Sequence, residues 1–214
     1  ALGFNFNFAP TLDVNSNPRN PVINVRSFGE SPSRVAELGS AMLKGMQQEG
    51  IIATLKHFPG HGDTHVDSHT GLPRVDHNLA RVMAQDVAPF SAVMSQQPVS
   101  AIMTAHIQYP ALDDSELINK DGLSMIRPAT LSRKILTELL RGELGYSGLV
   151  ITDALDMAGI SDFLSPTRAV IETFKAGADI ALMPITVRSQ NDLARLHRLL
   201  DELAQAVTIG ELDK

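Results

Sequence analysis

Apolar positions along this chain fall into short unbroken runs, separated by stretches with helical spacing. Ile51-Ile52-Ala53-Thr54-Leu55, Ala101-Ile102-Met103-Thr104, Gly148-Leu149-Val150-Ile151-Thr152 and Asp179-Ile180-Ala181-Leu182-Met183 are four such runs, and Phe4 to Pro10 precedes them with strand-like alternation. Continuous apolar runs of this length suit strands buried on both faces of a parallel sheet. Between the first two lies Ser31-Pro32, a helix start with proline at the first helical position, followed by Val35, Leu38, Met42 and Met46 on one stripe until Gly50. Helices are likewise predicted over 79–94, 132–144, a segment running through 169–176, and 189–207. Strand–helix alternation in units of roughly 30 to 50 residues reads as repeated βα units, with helices as the crossovers of a parallel sheet.

The predicted strands end in chemistry. Asp13 follows the first, Lys56-His57 the second, His106 the third and Asp153 the fourth. Parallel α/β folds place their active sites at the C-terminal mouths of strands, so the expected fold is a βα barrel or a doubly wound sheet. Neither a glycine-rich dinucleotide fingerprint nor a Walker loop is present, which leaves the nucleotide-binding version unsupported.

The richest stretch is Lys56-His57-Phe58-Pro59-Gly60-His61-Gly62-Asp63-Thr64-His65-Val66-Asp67-Ser68-His69, with one lysine, four histidines and two aspartates in fourteen residues. Histidines 57, 61, 65 and 69 recur every four residues, and on a helix they would share one face suited to zinc. Pro59, Gly60 and Gly62 argue against a helix there. Asp67-Ser68-His69 offers a different chemistry: a carboxylate two residues before an imidazole can orient the ring and favour its protonated form for acid/base work. Local spacing fits a polar surface loop as well. Asp153 is read two ways, as a carboxylate opening onto an active-site face or as the N-cap of a helix beginning at Ala154. Arg26 and Lys56 can hold ligand hydroxyls or acids, or can be solvated charges, and His106 has the placement without an assigned role.

Bulk properties narrow the classes. The 214 residues are enough for one domain, 43% hydrophobic and 20% charged, with a formal net charge of −6 that argues against nucleic acid as a partner. There is no cysteine, which excludes disulfides and thiolate chemistry. No run reaches transmembrane length. The chain opens inside a strand without a signal-peptide pattern, so it is expected to be part of a longer polypeptide. The compartment stays open.

Five separated motifs, in order, resemble the family 3 glycoside hydrolases, and within them the bacterial β-N-acetylglucosaminidases. They are Phe8-Ala9-Pro10-Thr11-Leu12-Asp13-Val14, Arg26-Ser27-Phe28-Gly29, the stretch from Lys56 to His69, Met103-Thr104-Ala105-His106, and Ile151-Thr152-Asp153-Ala154-Leu155-Asp156-Met157. The resemblance implies a retaining glycosidase without a metal or other cofactor, acting on terminal β-linked N-acetylglucosamine in peptidoglycan fragments or chitin oligosaccharides. Asp153 would be the nucleophile, and His69 paired with Asp67 the acid/base. Arg26, Lys56, His57, Asp13 and His106 would bind the sugar. The β-glucosidase branch is disfavoured, because Ala154 stands where that branch usually has tryptophan; phosphorolysis is the runner-up within the family. The resemblance also implies a (β/α) TIM-type barrel with residues 1–214 as a single domain holding the C-terminal five of eight βα units. The N-terminal strands and their Asp-Gln-Glu-Gly-Gly pattern would lie elsewhere in the same polypeptide, and the fragment alone is expected to be short of an active enzyme. The competing classes are a metal-dependent hydrolase built on the histidine-rich loop and a degenerate sugar-binding fragment.

Overall fold

The structure, a computed structural model, describes residues 3–69 and 71–213. Its strands are β1 (Phe6–Asn7), β2 (Ile52–Phe58), β3 (Ala101–Thr104), β4 (Glu116–Ile118), β5 (Ser124–Ile126) and β6 (Leu149–Thr152). Four of them form a parallel sheet in the order β1-β2-β3-β6, and β4-β5 is a separate antiparallel hairpin. Parallel neighbours need long crossovers, which the helices supply. These are α1 (Pro32–Gln48), α2 (79–96), α3 (Lys134–Glu143), α4 (Ala158–Ser161), α5 (Pro166–Ala176) and α6 (Gln190–Thr208). The protein is thus an α/β fold with a mostly parallel sheet. Strand order follows chain order among the described residues, without the reversal that defines a doubly wound sheet.

Register is what makes the site. Ala101 pairs with Leu149 and Thr104 with Thr152, so β3 and β6 end level, delivering His106 and Asp153 to the same rim. β2 runs further than its apolar stretch predicts, through Lys56 and His57 to Phe58, so both residues sit on a strand rather than in a loop. The predicted strand from Phe4 to Pro10 contracts to a two-residue ladder, because Pro10 has no N–H to contribute. Its carbonyls still guide the chain: Thr54 N bonds Ala9 O (2.8 Å), Lys56 N bonds Pro10 O (3.2 Å), and Leu12 N bonds Lys56 O (2.6 Å). Asp13 is thereby carried alongside His57.

The expected strand over 179–183 is corrected. A single parallel bridge, Ile151 to Ile180, remains. Asp179 N and Ile180 N both turn to Val150 O, Leu182 N is taken by the Thr152 hydroxyl, and Met183 adopts φ 44°, so the segment follows β6 without forming a ladder. The hairpin β4-β5 was not expected; three-residue strands with one buried side chain, Leu117, are too short to show alternation.

Helix α2 begins at an N-cap, with Asn78 Oδ1 accepting from Arg81 N (2.9 Å), and widens into i→i+5 turns over Met83–Val87 just before Pro89. A proline cannot donate back into the preceding turn, which is a physical reason for the ladder to loosen there. α3 also runs with i→i+5 bonds, as in Leu144 N to Leu139 O (2.9 Å). The main core packs Leu55, Phe58, Ile102 and Val150 of the sheet against Val35, Leu43, Phe90 and Leu136 of the helices. Phe58 and Phe90 meet edge to face at 5.3 Å and 89°, worth about 1 kcal/mol beyond the area they bury. Among the described residues no helix is long and apolar enough to cross a membrane.

Candidate active site

Asp13 is fully buried, and both its oxygens are occupied by protein. Oδ2 accepts from His57 Nδ1 (2.7 Å), while Oδ1 accepts from the backbone N–H groups of His57 (3.1 Å) and His61 (2.7 Å). Burial alone would raise its pKa, but the charge and hydrogen bonds of His57, with a contribution from His61, bring it below the ordinary value, so it is an anion. Three of its roughly four acceptor sites are taken by protein, and no part of it reaches the surface. It holds the His57 imidazole in place.

His57 is nearly buried, and its Nε2 points to Asp153 Oδ2 at 3.9 Å, beyond hydrogen-bond length but in direct electrostatic contact. Among the described residues it is the histidine within 4 Å of that carboxylate. Asp153 is not a helix cap: a turn follows it, and α4 starts at Ala158 with Met157 at its N-cap. Its Oδ1 accepts from Ala154 N (2.8 Å), its backbone N–H bonds Thr104 O (3.3 Å), and its side chain is 21% exposed. The result is a carboxylate oriented by its own backbone and open to solvent on one side.

Lys56 and Arg26 complete the charged rim. Burial lowers the Lys56 pKa, and so does the Arg26 guanidinium beside it; Asp153 and Asp13 act in the opposite direction. Two cations and the Asp153 carboxylate therefore share one field, although Arg26 itself sits exposed on a short turn and donates to Val22 O (3.3 Å). His106 is buried, with Nε2 donating to Ala154 O (2.9 Å) and Nδ1 on the Thr130 hydroxyl (2.8 Å). Burial lowers its pKa and keeps the ring neutral. It fixes the backbone beside Asp153, with both nitrogens engaged, rather than presenting one to a ligand.

The four histidines at spacing four diverge. His57 turns to Asp13, His61 Nδ1 to Thr64 Oγ1 (2.8 Å), His65 Nδ1 to Asn17 Nδ2 (3.1 Å) and His69 Nδ1 to Asp67 Oδ1 (2.7 Å). Among the described residues no three of His, Asp and Glu converge as a metal would need. The Asp67–His69 pair forms as its spacing suggests, with Asp67 Oδ1 also accepting His69 N (2.9 Å). Slight burial would raise the Asp67 pKa, but these bonds and the charge of His69 lower it, and the ionised carboxylate accepts the Nδ1–H of the ring. Its side chain is 60% exposed, on the loop above the sheet.

Sequence reasoning missed the residues that shape this loop. Buried Asn20 donates Nδ2 to His61 O (2.7 Å), buried Asn17 does so to Thr64 O (3.1 Å), and Tyr109 donates its hydroxyl to Gly60 O (2.7 Å). Nothing but polarity marks the two asparagines in a proline-rich loop. Gly62 is required by contact: a Cβ there would lie 1.6 Å from Val14 O.

The chain matches the model of the Glycosyl hydrolase family 3 N terminal domain over residues 1–214. It is 59% identical over 214 residues to "Beta-hexosaminidase A" of Pseudoalteromonas piscicida, covering 100% of this chain and 36% of that protein. It is 38% identical over 220 residues to "Beta-hexosaminidase LpqI" of Mycobacterium tuberculosis, covering 99% of this chain and 50% of that protein. Among solved structures, a glycoside hydrolase family 3 beta-N-acetylglucosaminidase from Paenibacillus sp. aligns with TM-score 0.78 at 42% identity, covering 94% of this chain and 40% of that one. The chain thus spans between about a third and a half of the length of these curated relatives.

Proposed function

The chain belongs to the glycoside hydrolase family 3 N-terminal domain family, and from that premise we propose that it carries the catalytic residues of a retaining β-N-acetylglucosaminidase. The observation that carries this reading is the half-open Asp153 carboxylate at the mouth of β6, with His57 3.9 Å away and Lys56 within its electrostatic reach. Asp153 attacks the anomeric carbon and forms a covalent glycosyl-enzyme. His69, oriented by Asp67, protonates the departing oxygen and then activates water. Lys56, Arg26 and His57 hold sugar hydroxyls, and Asp13 holds His57. The substrate class is terminal β-linked N-acetylglucosamine, from peptidoglycan fragments or chitin oligosaccharides.

The parallel sheet is proposed to be part of a βα barrel. Sequential strand order is the barrel pattern, and crossovers that follow the general right-handed rule would put the helices on one side of the sheet. Further strands of the same polypeptide would close it between the edge at β1 and the edge at Ile180.

In the complete polypeptide, Asp153→Asn is expected to lower kcat for an aryl N-acetylglucosaminide by at least about a thousandfold, and a fluorinated sugar analogue should label the parent at Asp153. Near-normal turnover by the variant, or labelling elsewhere, removes the nucleophile assignment. A binding module would form no adduct at all.

A further inference from the structure

The acid/base pair has a buried residue at its centre. Asp67 and His69 are partly and largely exposed, yet Ser68 between them is 2% exposed. Its hydroxyl and its carbonyl are both spent on holding the loop down. Ser68 Oγ bonds His61 Nε2 (3.1 Å), and Ser68 O accepts from Gly159 N (2.9 Å).

Each anchor leads to the catalytic rim. His61 is the residue whose backbone N–H binds Asp13, and its pKa is pushed down to about 4, by burial first and then by His57. A neutral imidazole has one donor and one acceptor nitrogen, and the Ser68 hydroxyl can complement Nε2 in either tautomer. Gly159 lies on α4, the first helix after Asp153. A Cβ at Gly159 would lie 2.9 Å from Gly71 O, 3.0 Å from Ser68 O and 3.4 Å from His106 Cβ. Only a residue without a side chain lets α4 touch the loop backbone on both sides of His69. His106 braces the same point, since its ring bonds Ala154 O, one residue from the nucleophile.

We propose that Ser68 and Gly159 form a tether that sets the position of the Asp67–His69 pair relative to Asp153. They are positioning residues: neither touches the reacting atoms, and both act through where they hold His69. The inference rests on His69 being the acid/base. The tether explains how a solvent-facing imidazole is given a defined place. Its immediate neighbour Ser68 is fixed at two points: a buried hydrogen bond to His61, whose N–H holds Asp13, and the Gly159 N–H on the helix that follows the nucleophile.

The test compares Ser68→Ala, Gly159→Ala and His69→Ala in the complete polypeptide. It measures kcat/KM on N-acetylglucosaminides with a dinitrophenyl leaving group, which departs without protonation, and with an alkyl leaving group, which does not. Displacing a catalytic group by about 1 Å costs on the order of a hundredfold, so each tether variant should lose tenfold or more on the alkyl substrate and only a few-fold on the dinitrophenyl one. Ser68→Ala removes a single hydroxyl and keeps the comparison available if Gly159→Ala fails to fold. If His69→Ala shows the leaving-group dependence and the tether variants lose equally on both substrates, or on neither, the tether is overturned alone. If His69→Ala shows no such dependence, the acid/base reading falls and the tether with it.

Discussion

At the scale of single residues, the buried Asp13–His57 contact decides most. The two are 44 positions apart in sequence, and the pairing exists because β1 and β2 run in parallel register, so only the ends of the strands were legible beforehand. Asp67 with His69 was legible because both partners sit within one turn. Replacing a buried carboxylate that accepts three hydrogen bonds is costly, so Asp13→Asn is expected to destabilise the protein by roughly 3 kcal/mol at neutral pH. The pH dependence has a definite sign. The folded pKa of Asp13 lies below the ordinary aspartate value of 3.8, so its stabilisation is complete above that value and drains away as pH falls through the lower folded pKa. Urea midpoints for parent and variant should therefore stand furthest apart near pH 7 and converge below about pH 4. A gap that stays constant across that range would mean the Asp13 charge contributes nothing to stability.

At the scale of elements, helix α2 carries a group whose behaviour its sequence did not announce. Asp86 sits in the widened turn, 1% exposed, and neither carboxyl oxygen has a hydrogen-bond partner among the described residues. It packs against Gly60: a Cβ on that glycine would approach Asp86 Cβ to 2.8 Å. Burial, and then the charges of Asp63 and Asp13, push its pKa up to about 7, with Arg81 as a partial offset. Asp63 is itself engaged by His77 and Arg81, and the hydroxyl of buried Tyr109 stays protonated nearby. Helical spacing placed the helix correctly over 79–94 but is blind to such a residue, because an aspartate amid apolar neighbours reads as an interruption of the stripe. Between the unfolded value of 3.8 and the folded value of about 7, the native state holds a proton that the unfolded chain has released. Stability from this site is thus complete below pH 4 and is lost as pH rises to 7, at about 1.4 kcal/mol per unit. Asp86→Asn, which cannot ionise, should match the parent near pH 4 and gain on it by up to about 4 kcal/mol at pH 8. Chemical denaturation at the two pH values measures this, and a difference that does not grow with pH refutes it.

At the scale of the whole molecule, the alternation of strands and helices was legible because period and run length are local properties, while the fifth strand failed because an edge segment has only one neighbour to set its conformation. That same edge shapes the final expectation. Apolar side chains remain exposed at both margins of the sheet, with Phe4 at 77% and Phe8 at 37% on one side and Ile180 at 36% and Met183 at 46% on the other. Fully burying side chains of this size contributes about 1.5–3 kcal/mol each, and unpaired strand edges invite association. The relatives are two to three times as long as the matched region, consistent with further strands covering these margins in the complete polypeptide. Amide exchange followed by mass spectrometry on peptides covering 3–9 and 178–184 tests the idea directly. Exchange should be fast in the 214-residue chain alone and markedly slower in the complete polypeptide, while peptides from β3 stay protected in both, since all four of its residues are already buried. Equal exchange at the margins in the two forms would mean that nothing else in the polypeptide packs there, and that the sheet is open in the complete polypeptide.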